Sequence, residues 1–300
     1  MKTETERYRV SRNACKLCTP LGACFAFKGI QGCMPLVHGS QGCSTYIRRY
    51  MISHYREPID IASSNFSENT AIYGGLENLK TAIGNVYSQY APLVIGVATT
   101  CLSETIGDDV AGLVAKMNAG LSVNDCELIH VSTPSYTGTH ADGYRNACLS
   151  IAKHFARTAI RNETVTVIPG LFSPADIRHL KHLVQLFGIN GLMLPDYSET
   201  LDGPLWGEYH RIPPGGTPVS CLKYIGGSRA CMEFTSVGNG DSASGYLANA
   251  CGVESKRLDY PIGIENTDRF VNELALLAGT GIPAEVGASR GRLLDAVVDG

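Results

Sequence analysis

The sequence predicts an α/β fold of tandem doubly wound parallel sheets, Rossmann-like in outline, and three observations carry that prediction. Short apolar runs alternate with longer segments of helical period. The alternation has the spacing of strands joined by covering helices, and several cysteines and a serine fall in turns just past the strand ends. Parallel sheets need such crossovers and are buried on both faces. At 300 residues the chain is long enough for two units of this kind with a large core. The expected division is 1–158 for an N-terminal α/β domain and 159–300 for a second one, with the boundary in the polar connector 157–163.

Strands are expected at 35–38, 59–63, 93–98, 128–132, 165–168, 192–194 and 232–235. A helix is expected from Cys43 through Arg56, just beyond the turn Gly39-Ser40-Gln41-Gly42. The next covers 77–90, where Leu79, Ile83, Val86 and Tyr90 fall on one face of a 3.6-residue period. Ser173 is a plausible N-cap, with Pro174 at the first helical position and Asp176 in the first turn. The core stripe of that helix is Ile177, Leu180, Val184 and Phe187, and Phe270, Val271, Leu274 and Leu277 form a similar C-terminal stripe. Segment 203–245, rich in Gly and Pro, reads as an irregular lobe.

With 44% hydrophobic and 18% charged residues and a net charge of −3, the chain is globular. Nothing in that balance favours nucleic acid or an acidic membrane surface. The start, Met1-Lys2-Thr3-Glu4-Thr5-Glu6-Arg7, is charged and lacks an apolar signal segment, and the run 93–98 is far short of a membrane span. A cytoplasmic location is therefore expected. There the eleven cysteines, an odd number, argue against a disulfide framework and leave metal ligation, redox catalysis or burial.

Cys18, Cys43 and Cys101 each stand in a turn marked by Gly or Pro or at a strand end, and Ser135 follows in a similar turn. Soft thiolates delivered from the ends of separate elements suit an iron–sulfur cluster. Cys43 also stands at a helix start, where the N-terminal field favours thiolate. Other readings have less support. Cys15-x-x-Cys18 has no second pair at zinc-finger spacing, and Pro20 and Gly22 follow it where a thioredoxin-type motif would open a helix. A cysteine nucleophile would need a nearby base, for which His38, His54, His130 and His140 are available without a local signature. No glycine-rich phosphate loop is present. Cys15, Cys24, Cys33, Cys126, Cys148, Cys221, Cys231 and Cys251 read as packing cysteines.

Longer stretches make a resemblance specific. They include Pro35-Leu36-Val37-His38-Gly39-Ser40-Gln41-Gly42-Cys43, His54-Tyr55-Arg56-Glu57-Pro58 and Ala71-Ile72-Tyr73-Gly74-Gly75. Thr100-Cys101-Leu102-Ser103-Glu104-Thr105-Ile106-Gly107-Asp108-Asp109, Thr133-Pro134-Ser135-Tyr136-Thr137-Gly138 and Arg290-Gly291-Arg292-Leu293-Leu294-Asp295 continue it. The chain resembles the beta-type subunit of the nitrogenase component 1 family over nearly its whole length.

The resemblance implies a role in nitrogen fixation. In catalytic beta chains, cysteines at the positions of Cys18, Cys43 and Cys101 ligate an [8Fe-7S] P-cluster, and a serine at the position of Ser135 joins them on oxidation. Three thiolates from one chain leave the cluster incomplete, so a homologous alpha-type chain shares it in an alpha2beta2 complex. Tyr46 then lies on the electron path to the partner's metallocofactor. Ile72 and Tyr73 match a docking patch for the ATP-dependent iron protein. The third α/β domain usual in the family is not contained in this sequence. A competing role is the scaffold subunit of iron–molybdenum cofactor assembly, with a [4Fe-4S] cluster. The wording Cys15-Lys16-Leu17-Cys18 and Tyr46-Ile47-Arg48-Arg49-Tyr50 leans toward it, whereas the complete ligand set favours electron relay. A nitrogenase-like reductase of another small molecule, and a small-ligand-binding α/β protein without a cluster, are the remaining alternatives.

Overall fold

The computed structural model describes residues 17–120, 126–156, 160–205, 207–235 and 241–300. The first sheet holds β1 (Cys33–His38), β2 (Ala62–Ser63), β3 (Val94–Thr99) and β4 (Glu127–Val131) in the order β2-β1-β3-β4. The second holds β5 (Val165–Ile168), β6 (Gly191–Met193), β7 (Ala230–Phe234) and β8 (Glu254–Leu258) in the order β6-β5-β7-β8. Every strand pair is parallel. The doubly wound α/β reading is thus the observed architecture.

Helix α1 (Thr19–Lys28) precedes the first sheet, α2 (Gln41–Tyr55), α3 (Glu68–Tyr73), α4 (Leu76–Tyr90), α5 (Cys101–Ile106) and α6 (Val110–Gly120) fill its crossovers, and α7 (His140–Phe155) follows it. Around the second lie α8 (Pro174–Leu186), α9 (Val219–Leu222), α10 (Ala243–Cys251), α11 (Gly263–Ala278) and α12 (Ala284–Asp299). All six residues of β1 and of β3 are buried, as a strand covered on both faces requires. One face packs Leu36, Ile95 and Val97 under Leu79, Ile83 and Val86 of α4 and Val114 of α6. The other face joins α1 and α7 in a core that runs on into the second sheet. Phe25 of α1 sits there 4.2 Å from the Tyr197 ring and 6.0 Å from that of Tyr144.

Helices α1 and α7 cross on two glycines. A Cβ on Gly22 would lie 1.7 Å from the His140 carbonyl oxygen, and one on Gly143 would lie 1.8 Å from that of Thr19. No other residue allows backbones this close, and the crossing fixes the start of α1 against the turn that precedes α7.

Several local expectations need correction. Pro20 and Gly22 do not mark a turn: Cys18 is the N-cap of α1, with proline in the first two helical positions, where its missing N–H costs nothing. The strand expected at 59–63 contracts to Ala62–Ser63. Strand β8 was not foreseen, because Glu254-Ser255-Lys256-Arg257 reads as loop although charge is common on an edge strand. The lobe expected at 203–245 contains α9, a 3-10 turn at Ile225–Gly227 and β7. The expected boundary at 158/159 lies outside the described residues. Among the described residues no helix is long and apolar enough to cross a membrane.

Candidate metal-cluster site

Strand order explains how distant cysteines meet. From β1 the chain crosses to β2 on one side, and from β3 to β4 on the other, so β1 and β3 flank the reversal point of the first sheet. Loops at the carboxyl ends of such strands form the natural crevice of the fold. Cys43 is the third residue of α2, after β1, and Cys101 is the first residue of α5, directly after β3. Cys18 caps α1, whose first turn abuts the segment following β4. All three thiols therefore stand at helix N-termini, where orphan N–H groups favour negative charge.

Hydrogen bonds tie Cys101 to Ser135 and Ser135 to the backbone beside Cys18. The Ser135 N–H donates to the Cys101 Sγ at 3.2 Å. The Thr19 N–H, next to Cys18, donates to the Ser135 Oγ at 3.2 Å. Cys43 lies within electrostatic range of both Cys18 and Cys101. The Thr133 N–H and hydroxyl hold the Thr99 hydroxyl and carbonyl at 2.8 Å and 2.6 Å, which brings the exit of β4 against that of β3. Cys18 and Cys43 are exposed and Cys101 is half-buried. Among the described residues no three or more His, Cys, Asp or Glu side chains group tightly enough to hold a single metal ion.

The family model for nitrogenase component 1 type oxidoreductases matches residues 18–300. The chain belongs to this family. It is 39% identical over 300 residues to the nitrogenase molybdenum-iron protein beta chain of Clostridium pasteurianum, covering 99% of this chain and 65% of the relative. The corresponding beta chain of Methanococcus maripaludis is 38% identical over 294 residues, covering 94% of this chain and 63% of the relative. A solved chain described as "Nitrogenase Cp1 at pH 6.5" matches with a TM-score of 0.92 and 38% identity, over 100% of this chain and 65% of that one. Another, "Nitrogenase Cp1 at pH 5", shares the fold alone, with a TM-score of 0.65 at 16% identity. The resemblance to beta-type subunits is borne out, and this member spans a little under two thirds of the length of these relatives.

The other cysteines of this family member divide by environment. Cys24, Cys33, Cys148 and Cys231 are buried, and burial pushes the Cys24 thiol up to about 12, so it stays protonated. The packing expectation fails for Cys221, which is exposed, and holds only partly for Cys126 and Cys251, which are half-buried. Cys15 lies outside the described residues. At Cys43, partial burial of the sulfur, with the neighbouring Cys18 and Cys101, raises its pKa more than the Ser40 contact lowers it.

Sequence reading missed the polar frame behind the thiols. His38 is fully buried at the end of β1, with Nδ1 2.9 Å from the Ser64 Oγ and Nε2 3.2 Å from the Asp108 Oδ2. Both ring nitrogens are engaged, which removes His38 as a base for a cysteine. Glu104 accepts from the Thr99 hydroxyl and, at 2.6 Å, from that of Ser132. His38, Glu104 and Asp108 stood inside the motif stretches, yet only their distant partners reveal their use. Of the other candidates, Tyr46 lies one turn beyond Cys43 and is 59% exposed, while Ile72 and Tyr73 at the end of α3 are 72% and 86% exposed.

Proposed function

We propose that this chain is the beta-type subunit of a nitrogenase component 1-like complex in nitrogen fixation. It holds an interfacial iron–sulfur cluster through Cys18, Cys43 and Cys101, with Ser135 as an oxygen donor. The single observation that carries the reading is the meeting of three helix-terminal thiols and one hydroxyl at the reversal point of the first sheet. The donor set fits the group: soft sulfurs spread over separate elements match a multi-iron core better than a single ion. Such a cluster, when bound, stores and passes single electrons. The chain's own part is to present the sulfurs, to neutralise part of their charge with helix N-termini, and to keep the Ser135 hydroxyl beside them.

Cys18 and Cys43 are exposed and Cys101 is half-buried, and Tyr46 and Tyr50 of α2, Leu102 of α5 and Tyr136 beside Ser135 carry large exposed side chains. A partly apolar surface of this kind supports a shared site, in which a homologous alpha-type chain supplies the remaining ligands and covers the sulfurs in an alpha2beta2 assembly. Obligate interfaces of that sort bury more than about 2,000 Å². Tyr46 would face the partner's metallocofactor, and the Ile72–Tyr73 knob would receive the ATP-dependent iron protein. Iron and acid-labile sulfide analysis of the anaerobically purified complex tests the reading. A [8Fe-7S] complement at this interface supports it, and a [4Fe-4S] complement would mark the assembly-scaffold role instead. A colourless complex without iron would overturn both.

A further inference from the structure

The exposed Ile72–Tyr73 knob and the cysteine-bearing turns are distinct surface features, yet one carboxylate ties them together. The Gly75 N–H, two residues beyond Tyr73, lies 3.1 Å and 3.0 Å from the two oxygens of Asp108. The same carboxylate accepts from His38 Nε2 at 3.2 Å, and its side chain is only 4% exposed. A carboxylate can only accept, so the His38 proton sits on Nε2 and Nδ1 takes the Ser64 hydroxyl. The Ser64 Oγ in turn accepts from the Gly39 N–H at 3.0 Å, at the head of the turn leading to Cys43.

From His38 the frame also reaches Cys101. The His38 carbonyl oxygen lies 3.1 Å from the Thr100 hydroxyl and 2.9 Å from that of Ser103, the residues that flank Cys101 in the first turn of α5. Asp108 closes the loop from the other end, since its own N–H reaches the Ser103 carbonyl at 3.3 Å. The space is built for this contact. A Cβ on Gly75 would lie 2.2 Å from the Phe66 ring and 2.8 Å from Asp108 Oδ2, and Phe66 meets the His38 ring edge-on at 4.8 Å.

We propose that Asp108 is a positioning residue that locks the Ile72–Tyr73 knob and the turns bearing Cys43 and Cys101 into one unit. A partner seated on the knob then meets the sulfurs at a fixed distance and orientation. Without the carboxylate, Gly75 loses its acceptor and His38 its orienting partner, so the two features move independently. The inference rests on the function proposed above, because it takes the knob as the docking point of the electron donor.

Two readouts on the assembled complex separate the inference from that function. The first is hydrogen exchange in Asp108→Ala, Asp108→Asn and Tyr73→Ala variants, followed in peptides covering 70–78 and 98–106. Asp108→Ala should speed exchange in both peptides together, Asp108→Asn less so, and Tyr73→Ala only in the first. The second is electron transfer from the iron protein at wild-type iron content. Asp108→Ala should lower its efficiency about tenfold, with Asp108→Asn restoring part of the loss. Exchange that changes only at 70–78, or a transfer loss that follows iron loss one for one, would overturn the positioning role. A wild-type complex without iron would instead overturn the function, while the exchange result would still decide whether Asp108 couples the two segments.

Discussion

The Ser135 N–H donates to the Cys101 Sγ across 3.2 Å, while the Ser135 Oγ accepts from the Thr19 N–H beside Cys18. One residue therefore holds Cys101 from its backbone and the segment next to Cys18 from its side chain. Ser135→Ala keeps the first bond and loses the second. We expect a stability loss of about 0.5–1.5 kcal/mol for the hydrogen bond, unchanged iron content, and a shifted potential for the oxidised couple. A redox titration checks this, and an unshifted potential would remove Ser135 from the donor set.

Gly22→Ala should be far more damaging than the addition of one methyl suggests. Its methyl would collide with the His140 carbonyl, so α1 must move away from α7 and carry Cys18 with it. Overpacking of this kind costs about 1–3 kcal/mol. The thermal midpoint and the iron content should fall together, and a variant of unchanged midpoint would show that the helices do not cross this closely.

Cys24→Ser should cost about 1–3 kcal/mol, because the hydroxyl enters a fully buried site. Cys221→Ser, on the exposed surface, should stay within about 0.5 kcal/mol of the parent. Neither should change the iron content. Chemical denaturation and metal analysis read both, and iron loss from either variant would redraw the site.

The strands of both sheet centres were legible because they are apolar runs: 165–168 coincides with β5, and 93–98 differs from β3 by one residue at each end. The helix from Ser173 was legible from its cap, and Ser173 and Asp176 do bond each other's backbone N–H. Helix α1 was not, since proline and glycine usually interrupt helices and only the packing against α7 explains Gly22. The candidate thiols were visible as turn cysteines. Their frame was not, because His38, Ser64, Gly75 and Asp108 are far apart in sequence and are joined only by the parallel register of β1 with β2 and β3.

Acidification should weaken the fold. Burial lowers the pKa of His38, His130 and His140 below the ordinary value of 6.5, outweighing the Asp108 contact at His38. The unfolded chain therefore takes up protons first as pH falls through that value, and stability drops until the folded-state values are passed. Urea midpoints at about pH 7.5 and about pH 5.5 should show the lower value in acid. An equal or higher midpoint in acid would mean these histidines are not held neutral.

The central claim is tested most directly by iron-edge anomalous diffraction from crystals of the assembled complex. The account predicts anomalous density in contact with the sulfurs of Cys18, Cys43 and Cys101 together, at metal–thiolate distances of about 2.3 Å by analogy with zinc, and continuous with the partner's surface. Iron bound elsewhere on this chain, or touching only one of the three sulfurs, would contradict it.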